Sequence, residues 1–174
     1  VDVTFGAGAG TINKWAKQAI SSFGLSELQA KQFSSTMGAM VKSMGLTEQQ
    51  TLSMATSLTG LAGDFASFYN LPAEEAFAKL RAGIAGETEP LRQLGINMSV
   101  ANLEAYALTQ GVNKSWREMS QAEQATMRYN YIMSVSKDAQ GDFARTSDSL
   151  ANQMRVIKNT LNEVAASIGS ILLP

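Results

Sequence analysis

Four glycines, each followed by an aliphatic and then a small polar residue, restrict the fold of this chain more than any other feature. They lie in the runs Phe23-Gly24-Leu25-Ser26, Met44-Gly45-Leu46-Thr47, Leu94-Gly95-Ile96-Asn97 and Gln110-Gly111-Val112-Asn113. Glycine adopts the left-handed conformation that ends a helix without the steric penalty of a Cβ atom. The aliphatic side chain then packs back on the last helical turn, and the polar residue can cap the next helix. The pattern predicts helices joined by very short turns.

Three helix starts carry the capping-box pattern, in which a hydroxyl residue is followed three positions later by Glu or Gln. The pairs are Ser26 with Gln29, Thr47 with Gln50, and Ser120 with Glu123. Pro72 suits the first turn of another helix. Together with the glycine stops, these signals predict helices at 11–23, 26–44, 47–70, 72–84, 88–94, 99–110, 120–138 and 142–171.

Apolar residues recur along the predicted helices at spacings that keep them on one face. The clearest faces are Ile12, Trp15, Ala19 and Phe23; Phe33, Met37, Met40, Val41 and Met44; Leu58, Leu61, Ala62, Phe65, Phe68 and Tyr69; Leu103, Tyr106 and Ala107; and Met127, Tyr131 and Val135. No segment shows the sustained alternation of a strand. We therefore predict an all-α fold, a compact multi-helix bundle of about seven or eight helices that spans residues 11–171 as one domain. Residues 1–10, rich in Gly and Ala, are expected to form a flexible lead-in.

The last predicted helix carries the longest apolar stripe, whose positions step by four and three residues. They are Leu150, Met154, Ile157, Leu161, Val164, Ile168 and Ile171. This spacing is close to the 3.5-residue period of a helix that packs on another helix. We expect a long C-terminal helix that continues into a longer parent protein, with the first half of the stripe packed on its own domain. The second half is a candidate seam for a partner or for self-association, formed by Leu161, Val164, Ile168 and Ile171.

Composition excludes several classes of chemistry. The 174 residues contain no Cys and no His, so disulfides, Cys or His zinc sites and Ser-His-Asp triads cannot form. With 14 basic and 15 acidic residues, the chain lacks the basic footprint of a nucleic-acid-binding domain. The apolar stretch Leu58–Tyr69 contains Asp64 and is shorter than the roughly 18 residues of a membrane-spanning helix. We predict no metal site, no cofactor, no membrane span in this segment and no enzymatic activity.

Two carboxylate pairs, Glu74 with Glu75 and Glu87 with Glu89, are the strongest candidates for acid–base chemistry. A glycosidase needs two carboxyl groups that flank the bond to be broken. Each of these pairs instead lies in the first turn of a predicted helix, where negative charge offsets the helix dipole. The neighbouring segment from Gly83 to Gly86 lacks the Lys-Ser/Thr ending of a phosphate-binding loop and follows a helix instead of a strand. We interpret these residues as structural.

Arginines in the later helices are candidates for a structural ion pair. Arginine is the preferred partner of carboxylates in partly buried, bidentate pairs. We predict that the turn containing Glu87 and Glu89 docks on Arg128 or Arg145. The alternative is solvated surface charge, which contributes about 0–1 kcal/mol per pair.

Three segments resemble the core region of bacteriophage tail tape measure proteins. They read EEAFAKLRAGIAGETEPLRQLGINMS from Glu74, AEQATMRYNYIMS from Ala122, and GDFARTSDSLANQMRVIKNTLNEVAASIG from Gly141. The resemblance covers roughly residues 24–169. Its most specific part is the run GETEPL from Gly86, which is followed by LGI from Leu94.

This resemblance implies a structural protein of the phage tail. Proteins of this family are extended and mostly helical, run inside the growing tail, and set by their length how many tube rings assemble. They leave the tail before or with the DNA at ejection. The implied partners are tail-tube, tail-tip or baseplate proteins and a tail assembly chaperone. The implied location is the virion tail, after assembly in the host cytoplasm. This chain would be a folded domain of such a protein and not the ruler itself.

Two other functions remain open from the residues alone. One is a muralytic, cell-wall-degrading ejection domain, which an assay of peptidoglycan hydrolysis would reveal. The other is a generic helical adaptor or interaction module. The sequence downstream of Pro174 would discriminate, because hundreds of residues of coil-forming helix favour a tape measure protein.

Overall fold

The computed structural model of the chain describes residues 1–149, 151–160 and 163, and every regular element in that part is helical. The ten named α-helices of these ranges are α1 (Asp2–Phe5), α2 (Ala9–Ala16), α3 (Ala19–Phe23), α4 (Glu27–Ser43), α5 (Glu48–Phe68), α6 (Ala73–Ala85), α7 (Glu89–Arg92), α8 (Val100–Thr109), α9 (Gln121–Val135) and α10 (Asp142–Arg145). Short 3-10 turns lie at Gly6–Gly8 and Trp116–Glu118. The predicted all-α class is confirmed, with more and shorter helices than expected.

The predicted helix 142–171 is interrupted near its start. Helix α10 ends at Arg145, residues 146–149 form turns, and residues 151–160 are helical again. We call residues 151–160 the C-terminal segment. The predicted seam of Leu161, Val164, Ile168 and Ile171 lies outside the described residues, as does the predicted continuation of the helix to 171.

The predicted capping boxes and stop glycines are present, although a turn at residues 17 and 18 divides the predicted helix 11–23 into α2 and α3, and α9 ends at Val135 instead of 138. The capping boxes at Ser26, Thr47 and Ser120 have both of their reciprocal hydrogen bonds. All four predicted stop glycines have a positive φ, between 70° and 100°. The aliphatic residue after each glycine donates its N–H back to the helix just ended, as from Ile96 to Leu91 O at 3.0 Å, which is the geometry of a Schellman motif. Local sequence thus determines where these helices end.

Residues 1–10 differ from the expected flexible lead-in. They form α1, a 3-10 turn and the start of α2, and Phe5 is only 3% exposed. The Phe5 ring lies on α4 at Gly38, where an added Cβ would stand 2.7 Å from Phe5 Cζ. Burying an aromatic ring is strongly favourable, and here it outweighs the weak helix propensity of the surrounding Gly and Ala residues. A single aromatic residue has no periodicity, so the pattern did not reveal this contact.

The core is centred on α5, which packs between α4 and α6. Leu58, Leu61 and Phe65 of α5 are at most 2% exposed. On the flanking helices, Phe33 of α4 stacks on Phe77 of α6 with 4.3 Å between ring centroids. A smaller cluster lies between α8, the Trp116–Glu118 turn and α9, and contains Leu103, Ala107, Trp116 and Met119. The loop and helix that follow α9 bring the chain back across α5, where the C-terminal segment docks.

Candidate functional site

The C-terminal segment attaches to the domain through a polar face. Positions 152, 155, 159 and 163 follow one another at spacings of three and four, which place them on one side of a helix. Asn152 and Asn159 are 3% and 7% exposed, and Arg155 and Glu163 are half-buried. We call these four residues the polar clasp.

Three members of the polar clasp bind the ends of other helices. Asn159 Nδ2 donates to Gly24 O, just after α3, at 2.7 Å. Arg155 donates to Leu71 O, beyond the end of α5, at 2.7 Å. Glu163 accepts the N–H of Glu27, in the first turn of α4, at 2.5 Å. Helix ends leave backbone groups without partners, and the carboxylate of Glu163 also offsets the dipole of α4 at its N-terminus. Leu71, the acceptor for Arg155, lies in the linker between α5 and α6.

Asn152, the fourth member, joins the segment to α5 and α10. Its Nδ2 donates to Ser67 Oγ and to Thr146 Oγ1, each at 2.8 Å. Ser67 Oγ in turn donates to Asp142 Oδ2 at 2.6 Å. Because each of these side chains has a partner, the segment is held by a connected polar network instead of an apolar seam.

The opposite face of the segment is apolar and largely exposed. Met154 and Ile157, both members of the predicted stripe, are 57% and 53% exposed. For Met154 and Ile157 the expectation that this half of the stripe packs on its own domain is therefore wrong, whereas Leu150, its first member, lies outside the described residues. The physical reason lies in the docking surface, which consists of helix ends. Covering those polar groups with Met or Ile would leave them unpaired, at a cost of about 1–3 kcal/mol each.

A cleft of about 680 Å³ runs beside the segment. Leu25, Leu71 and Pro72 line it from the domain, and Met154 and Ile157 line it from the segment. The lining also includes Glu74 and Lys158, so the exposed apolar face borders a cleft of mixed polar and apolar character.

Replacing Asn159 with Ala is expected to loosen the C-terminal segment while leaving the core intact. The change removes the donor to Gly24 O, and a buried carbonyl left without a partner costs about 1–3 kcal/mol. Hydrogen exchange should become faster across 151–160 and stay unchanged in α5. Lys158→Ala, at an exposed position of the same segment, is the matched control. Unchanged exchange in the Asn159 variant would show that the polar clasp does not hold the segment.

The predicted ion-pair lock does not form. Among the described residues, neither Glu87 nor Glu89 is ion-paired with Arg128 or Arg145. Glu89 pairs instead with Arg92 of its own helix, at 2.5 Å, and Glu87 is exposed. Arg145 donates to the carbonyls of Gln140 and Asp138 in the loop before α10.

Arg128 does reach the predicted turn but binds a backbone group there. Its Nη1 donates to Ile84 O at the end of α6, 3.2 Å away, and its guanidinium lies 5.1 Å from the centre of the Trp116 ring. Burial lowers its pKa. The C-terminal carbonyls of a helix carry partial negative charge, and Gly86 has no side chain to keep the guanidinium away. The carboxylate of Glu87 stays in water, where it is better solvated.

Replacing Arg128 with Met is expected to lower the free energy of unfolding by about 1–2 kcal/mol. The change removes one hydrogen bond and one cation–π contact but keeps an apolar stem over Trp116. Urea unfolding measures the loss, with Arg81→Met at an exposed position of α6 as the control. Because the acceptor is a carbonyl, Glu87→Arg should not rescue Arg128→Glu. Rescue would restore the ion-pair hypothesis.

Asp64 is the buried charge that the sequence interpretation missed. It is 3% exposed on α5, and its carboxylate accepts the N–H groups of Gly141 at 2.8 Å and Phe143 at 3.2 Å. Burial raises its pKa, against the smaller lowering effect of these two hydrogen bonds. The sequence signal that could have revealed this buried carboxylate is a single acidic residue in the apolar stretch Leu58–Tyr69.

The other candidate residues have ordinary structural surroundings. Glu74 and Glu75 lie in the first turn of α6, and Glu74 accepts a hydrogen bond from Gln29 Nε2 at 2.7 Å. Gly83 packs against Leu91, and Gly86 ends α6 with a φ of 103°. Within residues 1–149, 151–160 and 163 there is no acidic group of three or more placed to hold a metal ion. No helix in the same part of the chain has the length and apolarity to cross a membrane.

Comparison of the chain with protein-family models, with curated proteins and with solved structures gave no match.

Proposed function

We propose that this chain is a folded, non-enzymatic domain of a bacteriophage or prophage tail tape measure protein, with a structural role in tail length determination, tail assembly and DNA ejection. The resemblance of its three segments to that family is the observation that carries the proposal. The all-helical fold is in keeping with a family of mostly helical proteins.

Two of the resembling segments contain contacts that hold helices of the domain together, which supports a structural function. The segment Glu74–Ser99 contains the contact of Gly83 with Leu91. The segment that begins at Gly141 contains the polar clasp. A domain with a structural role in an assembly depends on the contacts between its helices and needs no reactive group.

The exposed apolar face suggests how the domain connects to its surroundings. The polar clasp fixes one side of the C-terminal segment, which leaves Met154 and Ile157 facing outward. In this proposal the helix leads from a folded head into the rod, and its apolar stripe contacts a tail-tube, tail-tip, baseplate or chaperone protein or a sister chain. The candidate seam of Leu161, Val164, Ile168 and Ile171 extends that stripe.

Tail length in the virus that encodes this chain tests the proposal. An insertion of about 70 helical residues downstream of the domain should lengthen tails by about 105 Å, since a helix rises about 1.5 Å per residue. Deleting residues 1–160 should instead prevent tails from assembling, because in this proposal the folded head connects the rod to the other tail proteins. Normal tails after both changes would contradict the proposal.

The purified chain should also leave peptidoglycan intact. Hydrolysis that tracks with the purified protein would favour the muralytic alternative.

A further inference from the structure

A second cleft, of about 340 Å³, lies beside α5 at the level of Asp64. Its walls come from α2, α3, α5, α9 and the loop before α10. Trp15 and Phe23 line it with aromatic rings, and Thr56, Ser57 and Asp64 line it with oxygen-bearing side chains. Nothing in the proposed tail function uses this cleft.

The carboxylate of Asp64 lacks a counter-ion. Among the described residues, no Lys or Arg nitrogen lies within ion-pair distance of it. Among the described cations, only Arg145 attracts it appreciably, and that guanidinium donates to two loop carbonyls and lies 3.9 Å from Asp142 Oδ1. Asp142, on the same helix as Arg145, adds a second negative charge nearby. A buried charge is costly unless it is paired, and two backbone N–H groups compensate it only in part.

Asp64 makes the folded chain less stable as the pH rises. Burial holds the pKa of Asp64 above its usual value, so the folded chain keeps the proton more tightly than the unfolded chain does. The stability that this group contributes is present at low pH and is lost as the pH rises through the raised pKa. A bound cation would remove that penalty.

The aromatic and aliphatic walls of the cleft suit a cation that carries an aliphatic stem. The rings of Trp15 and Phe23 lie 6.1 Å apart between centroids and are tilted by 44°, and aromatic faces attract cations. Leu61 and Met133 supply apolar surface for an aliphatic stem. The volume falls at the small end of ligand pockets, which are typically about 300–1,000 Å³.

We propose that this cleft binds a primary ammonium group on an aliphatic stem, with Asp64 as its counter-ion and Trp15 and Phe23 as its aromatic walls. A lysine side chain of a partner protein and a free alkylamine share this chemistry. The inference stands on the geometry around Asp64 and does not depend on the tail proposal.

Nuclear magnetic resonance of the indole N–H groups tests this binding directly. The chain has two Trp residues, so Trp15 reports on the cleft and Trp116 serves as an internal control. We expect n-butylammonium to shift the Trp15 signal in a saturable way and to leave Trp116 unchanged, whereas neutral n-butanol shifts neither. Saturation by the peptide Ac-Ala-Lys-Ala-NH2 as well would indicate a protein lysine as the source, and saturation by n-butylammonium alone a free amine. No saturable shift, or an equal effect of butanol, would overturn the proposal.

Two variants separate a specific counter-ion from general electrostatics. Asp64→Asn should weaken n-butylammonium binding at least about tenfold, the equivalent of about 1.4 kcal/mol. Asp138→Asn removes an exposed carboxylate of the nearby loop and should leave the affinity unchanged. Equal weakening in both variants would overturn the assignment of Asp64.

A measurement on the unchanged chain keeps the proposal testable if Asp64→Asn fails to fold. Saturating n-butylammonium should lower the pKa of Asp64, observed through its side-chain carbonyl carbon. The affinity should rise with pH through that pKa, because only the ionised carboxylate attracts the ammonium group. A pKa of Asp64 that does not respond to the amine would contradict the proposal.

Discussion

Replacing Gly24 with Ala is expected to lower the free energy of unfolding by about 3 kcal/mol. Gly24 has a φ of 70°, and a left-handed conformation costs an L-residue roughly 1–2 kcal/mol. An added Cβ would also stand 2.5 Å from Cε2 of Phe143, a ring that is 1% exposed. Forcing extra volume into a packed site costs about 1–3 kcal/mol. Urea unfolding followed by circular dichroism measures the sum.

Gly95 provides the matched control for Gly24. Its φ of 81° is similar, but an added Cβ would meet no atom within 4 Å. Gly95→Ala should therefore show only the backbone cost, roughly 1–2 kcal/mol. Equal losses at the two glycines would mean that the contact between Gly24 and Phe143 is not tight.

Replacing Phe65 with Ala is expected to lower the free energy of unfolding by about 3–5 kcal/mol, the range for truncating a buried Phe. Phe65 is fully buried in α5 and packs edge-on against Tyr69, with 5.3 Å between ring centroids. The truncation leaves a cavity in the centre of the molecule. The same urea unfolding experiment measures the loss.

Phe68 is the control for Phe65 on the same helix. It also contacts the Tyr69 ring, but it is 44% exposed, so Phe68→Ala should cost about 1 kcal/mol. Similar losses for both variants would contradict the placement of Phe65 inside the core and of Phe68 at its edge.

The ends of the helices were predictable because their signals are local. A stop glycine such as Gly45 and a capping pair such as Thr47 with Gln50 lie within a few residues of the helix end that they determine. The fold class followed from the same signals. Helix lengths near the N-terminus were less predictable, since docking of Phe5 depends on the hollow at Gly38 on another helix.

The candidate site was less predictable because its residues contact partners that are distant in the sequence. The stripe containing Met154 and Ile157 has a clear period, but the domain presents unpaired helix ends to this segment, and Asn159 satisfies one of them. The prediction for Arg128 located the correct turn and the wrong acceptor, because a carbonyl at a helix end competes well with a hydrated carboxylate. Neither outcome follows from spacing alone.

The orientation of the C-terminal segment is the structural feature on which the proposed partner-binding face depends most directly. Because the chain contains no Cys, Met154→Cys and Val156→Cys each introduce a unique thiol, on opposite sides of the segment and outside the polar clasp. Thiol reactivity depends on exposure, so a disulfide reagent measures which face is outward. Ala139→Cys, at a position that is 2% exposed, gives the buried reference.

We expect the thiol at 154 to react at least about threefold faster than the thiol at the half-buried position 156, and the buried reference to react most slowly. That result would place the polar clasp against the domain and leave the apolar face free for a partner. Fast reaction at 156 together with protection at 154 would mean that the apolar stripe packs on the domain, which contradicts the orientation described.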